Sequence, residues 1–344
     1  MANVLVTGGA GFIGSHLSDY LVNQGHRVTV LDDLSGGFLD NLETPGSAKK
    51  ISSTLGDVIF VRGSILDERL VDTLFQEGRF EVVYHLAAYA AEGLSHFIKR
   101  FNYQNNLIGS VNLINASVNH GVKCFVFTSS MAVYGASQVP FGEHMPPAPE
   151  DSYGIAKAAV EDELFISREM FGLDYVIFRP HNVLGERQNI GDRYRNVVGI
   201  FMNQILRNSP MTVYGDGEQQ RAFSYVGDII PAIASSPSNP RAIANIFNIG
   251  GDEPCTINQL AEMVAEAMDV PLRVVHLDQR HEVKIAYCDH HHARVLLGYQ
   301  QETPLRKGIA RMAAWARQHG FRRGQEFSGI EIEKNLPSFW RKNQ

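Results

Sequence analysis

The sequence predicts an α/β fold, a doubly wound parallel sheet followed by a smaller and mostly helical lobe, and three observations carry that prediction. Short apolar runs of β type alternate with helical patterns over the first 180 residues. A glycine-rich turn joins the first run to the first helical pattern. After Pro180 the alternation gives way to a long polar connection and scattered helices.

In chain order, Val4-Leu5-Val6 is the first strand and the glycine turn follows at Gly8-Gly9-Ala10-Gly11-Phe12-Ile13-Gly14. Residues 15–23 continue as a helix with Phe12, Leu17 and Leu21 on one face. A second strand over 27–31 ends in Asp32-Asp33. Further strands are expected at 58–61, 82–85, 124–127 and 175–178, with helices at 105–119 and 156–171 between them. The second lobe holds helices near 196–206, 257–268 and 304–319 and a turn at Gly215-Asp216-Gly217. Segments 226–234 and 245–249 look like returns to the first lobe. The expected division is therefore 1–180, with returns at about 226–250, against 181–225 and 251–344.

Strand, glycine turn and helix in that order describe a site for a dinucleotide pyrophosphate. The turn must be tight, backbone N–H groups must reach the phosphates at a helix N-terminus, and helix and strand must pack closely. An acid at the end of the second strand accepts bonds from the adenosine ribose and repels a 2′-phosphate, so NAD is favoured over NADP. In a parallel sheet the ligand lies at the carboxyl ends of the strands, where Asp32, His85-Leu86-Ala87-Ala88 and Ser129-Ser130 also emerge.

Chemistry is suggested by Tyr153 and Lys157, four apart in Ser-Tyr-Gly-Ile-Ala-Lys, after Ser130. On a helix that spacing places the two on one face, where an ammonium can stabilise a phenolate. A free phenol titrates near ~10, so a base working near neutrality needs about 4 kcal/mol of differential stabilisation. Tyr-x-x-x-Lys alone recurs by chance; the glycine turn and the serine pair give it weight.

Composition is that of an ordinary globular chain, 344 residues with 44% hydrophobic and 20% charged residues. The net charge of −6 and the lack of any basic run beyond short pairs leave no footprint for nucleic acid. No apolar run approaches the ~20 residues of a membrane span, and a cytoplasmic protein is expected. Cys124, Cys255 and Cys288 are too scattered for a disulfide framework or a zinc site. His290-His291-His292 invites a metal reading, but consecutive helical residues diverge by about 100°, so a solvated helix start is expected and no metal. The tail over 331–344, with Leu336, Phe339 and Trp340, is expected to pack on the second lobe or on a partner.

Taken together, the glycine signature, Asp32, His85-Leu86-Ala87-Ala88, Asn106 to Ser110, Ser129-Ser130-Met-Ala-Val-Tyr134-Gly, Tyr153-x-x-x-Lys157 and Arg179-Pro-His-Asn182 resemble the extended short-chain dehydrogenase/reductase family, over about the first 230 residues. Within it the chain most resembles nucleotide-sugar 4-epimerases of the UDP-glucose type, a family with a Rossmann-type cofactor domain. The resemblance implies NAD as cofactor, a UDP-hexose as substrate and a homodimer. It implies Ser130, Tyr153 and Lys157 as catalytic residues. It places Gly8, Gly11, Phe12, Ile13, Gly14, Asp32, Asp33, Ser64, Ile65, Leu86, Ala87, Ala88, Asn106 and Thr128, with Tyr153 and Lys157, around the cofactor. Around the substrate it places Ser130, Asn182, Asn196, Val197, Thr212, Tyr214, Arg221 and Arg280, the two arginines clamping the diphosphate. Met131 and Ala132 stand where similar dehydratases and decarboxylases carry an acid, so a reaction needing only Tyr153 and hydride transfer is expected. A glucuronate 4-epimerase, a decarboxylase or dehydratase, and a non-catalytic NAD-binding regulator are the alternatives.

Overall fold

The computed structural model describes residues 1–42, 54–55, 58–280, 282–321 and 327–340. Strands β1 (Asn3–Thr7), β2 (Arg27–Asp32), β3 (Thr54–Leu55), β4 (Val58–Arg62), β5 (Val82–His85), β6 (Cys124–Thr128) and β7 (Asp174–Pro180) run through the first half of the chain. With β12 (Asn245–Ile249) they form one sheet in the order β12-β7-β6-β5-β1-β2-β4-β3. All its pairings are parallel except the edge pair of β3 and β4. Parallel order demands crossover helices on both faces, and the side-chain period of two supplies the apolar surface for each. Val4 and Val6 pack with Leu17 and Leu21 of α1 (Phe12–Asn23) and Ile229 and Ile233 of α8 (Val226–Ser235). Leu5 points the other way, to a core with α2 (Glu68–Gly78), α5 (Gly109–Asn119) and α6 (Ser152–Phe171). α6 starts at Asp151, whose carboxylate accepts from Gly154 N, and stops at Gly172 in the left-handed region.

Between β5 and α5 lie two short helices, α3 (Glu92–Ser95) and α4 (Lys99–Tyr103), and a π-helical turn, Gln104–Ile108. The expected helix over 105–119 is thus α-helical only from Gly109. In the second lobe α7 (Val197–Leu206), α9 (Ile257–Ala267) and α11 (Leu305–His319) share an apolar core. Small sheets lie beside them: β8 (Val183–Leu184) with β11 (Ser224–Tyr225), β9 (Met211–Tyr214) with β14 (Val274–Leu277), and β10 (Gln220–Ala222) between β13 (Pro254–Thr256) and β15 (Ile285–Ala286).

One expectation is corrected at α10 (His291–Leu297). His290, which caps it, is fully buried rather than solvated, its ring bonded to His181 and to Asp252 at 2.8 Å each. Tertiary contacts from two distant loops, invisible in a histidine run, decide this. Among the described residues no helix is long and apolar enough to cross a membrane, and no three His, Cys, Asp or Glu side chains converge as a metal site.

Candidate active site

A cavity of about 820 Å³ runs from the carboxyl edge of the sheet into the second lobe. At its first end the chain leaves β1 through Gly8, whose φ of +70° is left-handed and whose missing Cβ would stand 2.7 Å from Ala87 N. Gly14 is equally obligatory, because a Cβ there would lie 2.2 Å from the Gly8 carbonyl oxygen. Gly11 begins α1 with no side-chain cap, leaving the first-turn N–H groups to an incoming anion. Asp32 accepts from Ala10 N at 3.0 Å and Leu34 N at 2.8 Å, which fixes its carboxylate at the turn; burial raises its pKa. Thr128 Oγ1 is buried on the cavity wall with no hydrogen-bond partner among the described residues. Bare helix N-terminus, fixed acid and orphaned hydroxyl fit a bound dinucleotide.

Phe12, Ile13, Asp33, Ser64, Ile65, Leu86, Ala87 and Ala88 line the same end of the cavity. Asn106 does not. It sits behind the wall, its amide accepting from Tyr89 N and donating to Tyr89 O, so it shapes the loop after β5 from beneath. A buried amide in register with a loop's backbone leaves the same trace in sequence as one that touches a ligand. Asp32→Ala is expected to weaken NAD binding and to narrow the preference for NAD over NADP, measured by calorimetric titration of both dinucleotides. Unchanged discrimination would remove Asp32 from the selection.

At the cavity's centre the first turns of α6 carry Tyr153 and Lys157, both buried. Lys157 donates from Nζ to Thr128 O at 2.7 Å, and burial holds it down to about 7, opposed by Glu161. Ser130, accepting from Ala132 N, also reaches the Tyr153 phenol and lowers its pKa. Burial outweighs that hydrogen bond and pushes the phenol up, helped by Asp151 and Glu92. The protein alone therefore keeps Tyr153 protonated. Lys157 Nζ stands 5.8 Å from the Tyr153 ring centroid while it bonds that carbonyl, so further positive charge is needed before the phenol can act as a base.

Behind this pair Glu161 accepts from Ser129 Oγ and forms a buried ion pair with Arg179, whose guanidinium stands 4.7 Å from the Tyr134 ring centroid. Two carboxyl groups that sequence reasoning passed over also face the cavity. Glu92, at the start of α3, is exposed toward the cavity, where partial desolvation and then the Asp151 carboxylate push its pKa up against the pull of Arg221 and Arg280. Asp151 caps α6 and bonds Ser95 Oγ. Despite the absence of an acid at Met131 and Ala132, two carboxyl groups therefore border the site. The signal that would have found Glu92 is its place on a loop leaving the carboxyl end of a parallel strand.

The second lobe closes the far end. Asn182 and Asn196 both line it with left-handed backbones. Their amide nitrogens are already bonded, Asn182 to Ala222 O at 2.9 Å and Asn196 to Val183 O, while Asn196 Oδ1 caps α7. Val197, Thr212 and Tyr214 line it too. Arg221 directs one terminal nitrogen at the carbonyls of Gln220 and Lys284 and the other at Val283 O and Glu282. Arg280 forks onto Glu282 as well, at 3.3 Å, with its guanidinium 4.6 Å from the Tyr214 ring centroid. The pair thus presents two cations bridged by one carboxylate rather than two free forks.

Residues 4–250 match a family model described as NAD dependent epimerase/dehydratase family. The chain is 33% identical over 316 residues to a UDP-glucose 4-epimerase of Mycolicibacterium smegmatis, covering 91% of this chain and 98% of that protein. Among solved structures it is similar to a UDP-glucose 4-epimerase from Thermotoga maritima with UDP-glucose, with a TM-score of 0.85, 33% identity, and 92% and 99% of the two chains covered. It is also similar to a UDP-N-acetylglucosamine 4-epimerase from Methanobrevibacter ruminantium in complex with UDP-N-acetylmuramic acid, with a TM-score of 0.83, 31% identity, and 92% and 99% covered.

Proposed function

Because the chain belongs to the NAD dependent epimerase/dehydratase family, with NAD as its cofactor, we propose that it inverts C4 of a UDP-hexose. The observation that carries this reading is one continuous cavity joining the glycine turn, the Ser130, Tyr153 and Lys157 cluster, and the bridged arginines. When bound, NAD would supply a reversible hydride acceptor and a positive charge. The Tyr153 phenol is the group that would take the proton from the sugar O4 and return it. Ser130 hydrogen-bonds the same oxygen as it gains and loses charge. Lys157, anchored on Thr128 O, is the cation that would bind the cofactor's ribose and stabilise the phenolate. Arg221 and Arg280 hold the diphosphate, so the sugar is free to present either face of C4 while the nucleotide stays fixed.

Proton NMR of the purified protein with UDP-, GDP- and CDP-sugars tests this. Inversion at C4 of a UDP-hexose is the expected result; no change in any sugar would refute an enzymatic reading. A second reading, elimination or decarboxylation, has Glu92 and Asp151 in its favour, since such reactions need another acid or base. A dehydrated or decarboxylated product in the same spectra would decide for it.

Substrate breadth rests on Ala286, which lines the cavity in register with Arg221. A small residue there leaves room for a 2-acetamido group, so both plain and N-acetylated hexoses are expected as substrates. Overlap with a bulky wall costs energy steeply while a gap forfeits only contacts. Ala286→Tyr is expected to remove activity on the N-acetylated sugar and keep the other; equal loss on both would show that Ala286 is not the gate.

A homodimer in the cytoplasm completes the proposal. Phe165, Ile166 and Met170 on α6 are more than half exposed, at 57%, 51% and 68%, as a helix face awaiting a second copy would be. Sedimentation at a mass of twice 38.2 kDa is expected, and a monomer at micromolar concentration would exclude it.

A further inference from the structure

The C-terminal segment lies outside the stretch matched by the family model, yet it borders the cavity. Phe327, Ser328 and Gly329 line it directly. Phe327 packs edge-on against Phe101, with ring centroids 4.8 Å apart, and stands 5.5 Å from Tyr89. Glu331 then anchors the chain: its carboxylate accepts from Arg100 N at 2.9 Å and Phe101 N at 3.0 Å, and its own N–H donates to Phe97 O at 2.8 Å. These are otherwise open N–H groups at the start of α4, so the bond caps a helix as well as tethering a tail.

Beyond the anchor, Leu336 and Trp340 are buried against Ala91, Leu94 and Ile98. The Trp340 ring meets Phe97 of the first lobe at 6.3 Å, and Tyr194 and Tyr214 of the second at 5.4 and 6.3 Å. Tyr214 is the ring on which Arg280 stacks. Gly93 adds a second link, since a Cβ built there would stand 3.4 Å from Trp340 and 3.6 Å from Arg280. Trp340 and Arg280 thus lean on one tyrosine and one glycine.

A long cation loses rotamer freedom when it grips an anion, and support that holds it in place beforehand lowers that cost. A buried indole held by three aromatic neighbours is such a support. We propose that residues 327–340 form a third wall of the nucleotide-sugar site, with Phe327 bounding the cavity and Trp340 a positioning residue that acts on the substrate diphosphate through Tyr214 and Arg280. The proposal rests on the reading of Arg280 as a diphosphate cation.

The test uses the full chain with NAD bound. Trp340→Ala is expected to raise both the KM of the UDP-sugar and the Kd of UDP about tenfold. Its kcat should stay within about threefold and its NAD content unchanged. Trp340→Phe, which keeps a packed ring, should recover most of the affinity. Trp340 is also one of only two tryptophans in the chain. In Trp315→Phe it is the sole indole, and its emission should shift on titration with UDP. Unchanged UDP affinity in Trp340→Ala, or a flat emission titration, would overturn the proposal even if the wild type epimerises UDP-sugars. A wild type that neither binds UDP nor turns over a nucleotide sugar would overturn the functional reading and this inference together.

Discussion

Tyr153→Phe is expected to fold, to retain NAD and to lose turnover by ~10³-fold or more, because it removes the proposed proton acceptor and almost no volume. The structure sharpens this expectation. Tyr153 is buried, and its backbone N–H is held by Ser95 Oγ at 3.2 Å, so the phenylalanine ring should occupy the same place. Burial pushes the phenol above its usual range, so taking a proton near neutrality would need the added positive charge of Lys157 and a bound cofactor. Single-turnover reduction of bound NAD by the sugar is the measurement: the variant should bind substrate and show almost no reduction. Wild-type rates would mean that another group, with Glu92 the first candidate, takes the proton.

Glu161→Ala should be the most destabilising single change near the site. Its carboxylate pairs with Arg179 in the buried core beneath α6, with side-chain exposures of 5% and 2%. Removing it leaves a guanidinium without its counter-ion where water cannot reach, a loss of about 3–5 kcal/mol. Urea unfolding at fixed NAD concentration measures it, and a loss under about 1 kcal/mol would show the pair to be dispensable. A second effect falls on chemistry. Glu161 is the group that draws the Lys157 pKa upward toward about 7 against burial. Without it that value falls, so Lys157 loses its proton at neutral pH, and the variant's remaining activity should require more acidic solution than the wild type's. Glu161→Gln, which retains hydrogen-bonding atoms but no charge, should share the shift in the pH profile while losing less stability.

The cofactor half of the site was legible from local sequence because its determinants are local. Gly8, Gly11 and Gly14 lie within one turn and Asp32 ends the next strand, and close approach of backbone to phosphate permits few other residues there. The substrate half was legible only as positions. Arg221 and Arg280 do line the cavity, but their bridging by Glu282 depends on β10 meeting β15 across more than sixty residues. His290 departed from its expected solvated place for the same reason. A buried polar side chain and a ligand-facing one obey the same local pattern, and only the packed neighbours distinguish them.

By itself the sequence determined the class of fold, the order of strand, turn and helix, and the cofactor, and it placed Ser130, Tyr153 and Lys157 as the proposed proton-handling cluster, since each follows from periodicities and spacings shorter than one helix. Tertiary structure alone decided which carboxylates share the cavity with Tyr153, how far burial moves Tyr153 and Lys157 from their usual pKa values, and where the C-terminal segment comes to rest. Those outcomes depend on desolvation and on contacts between elements distant in the chain. Both are set by how whole elements pack against one another, and no short stretch of residues encodes that.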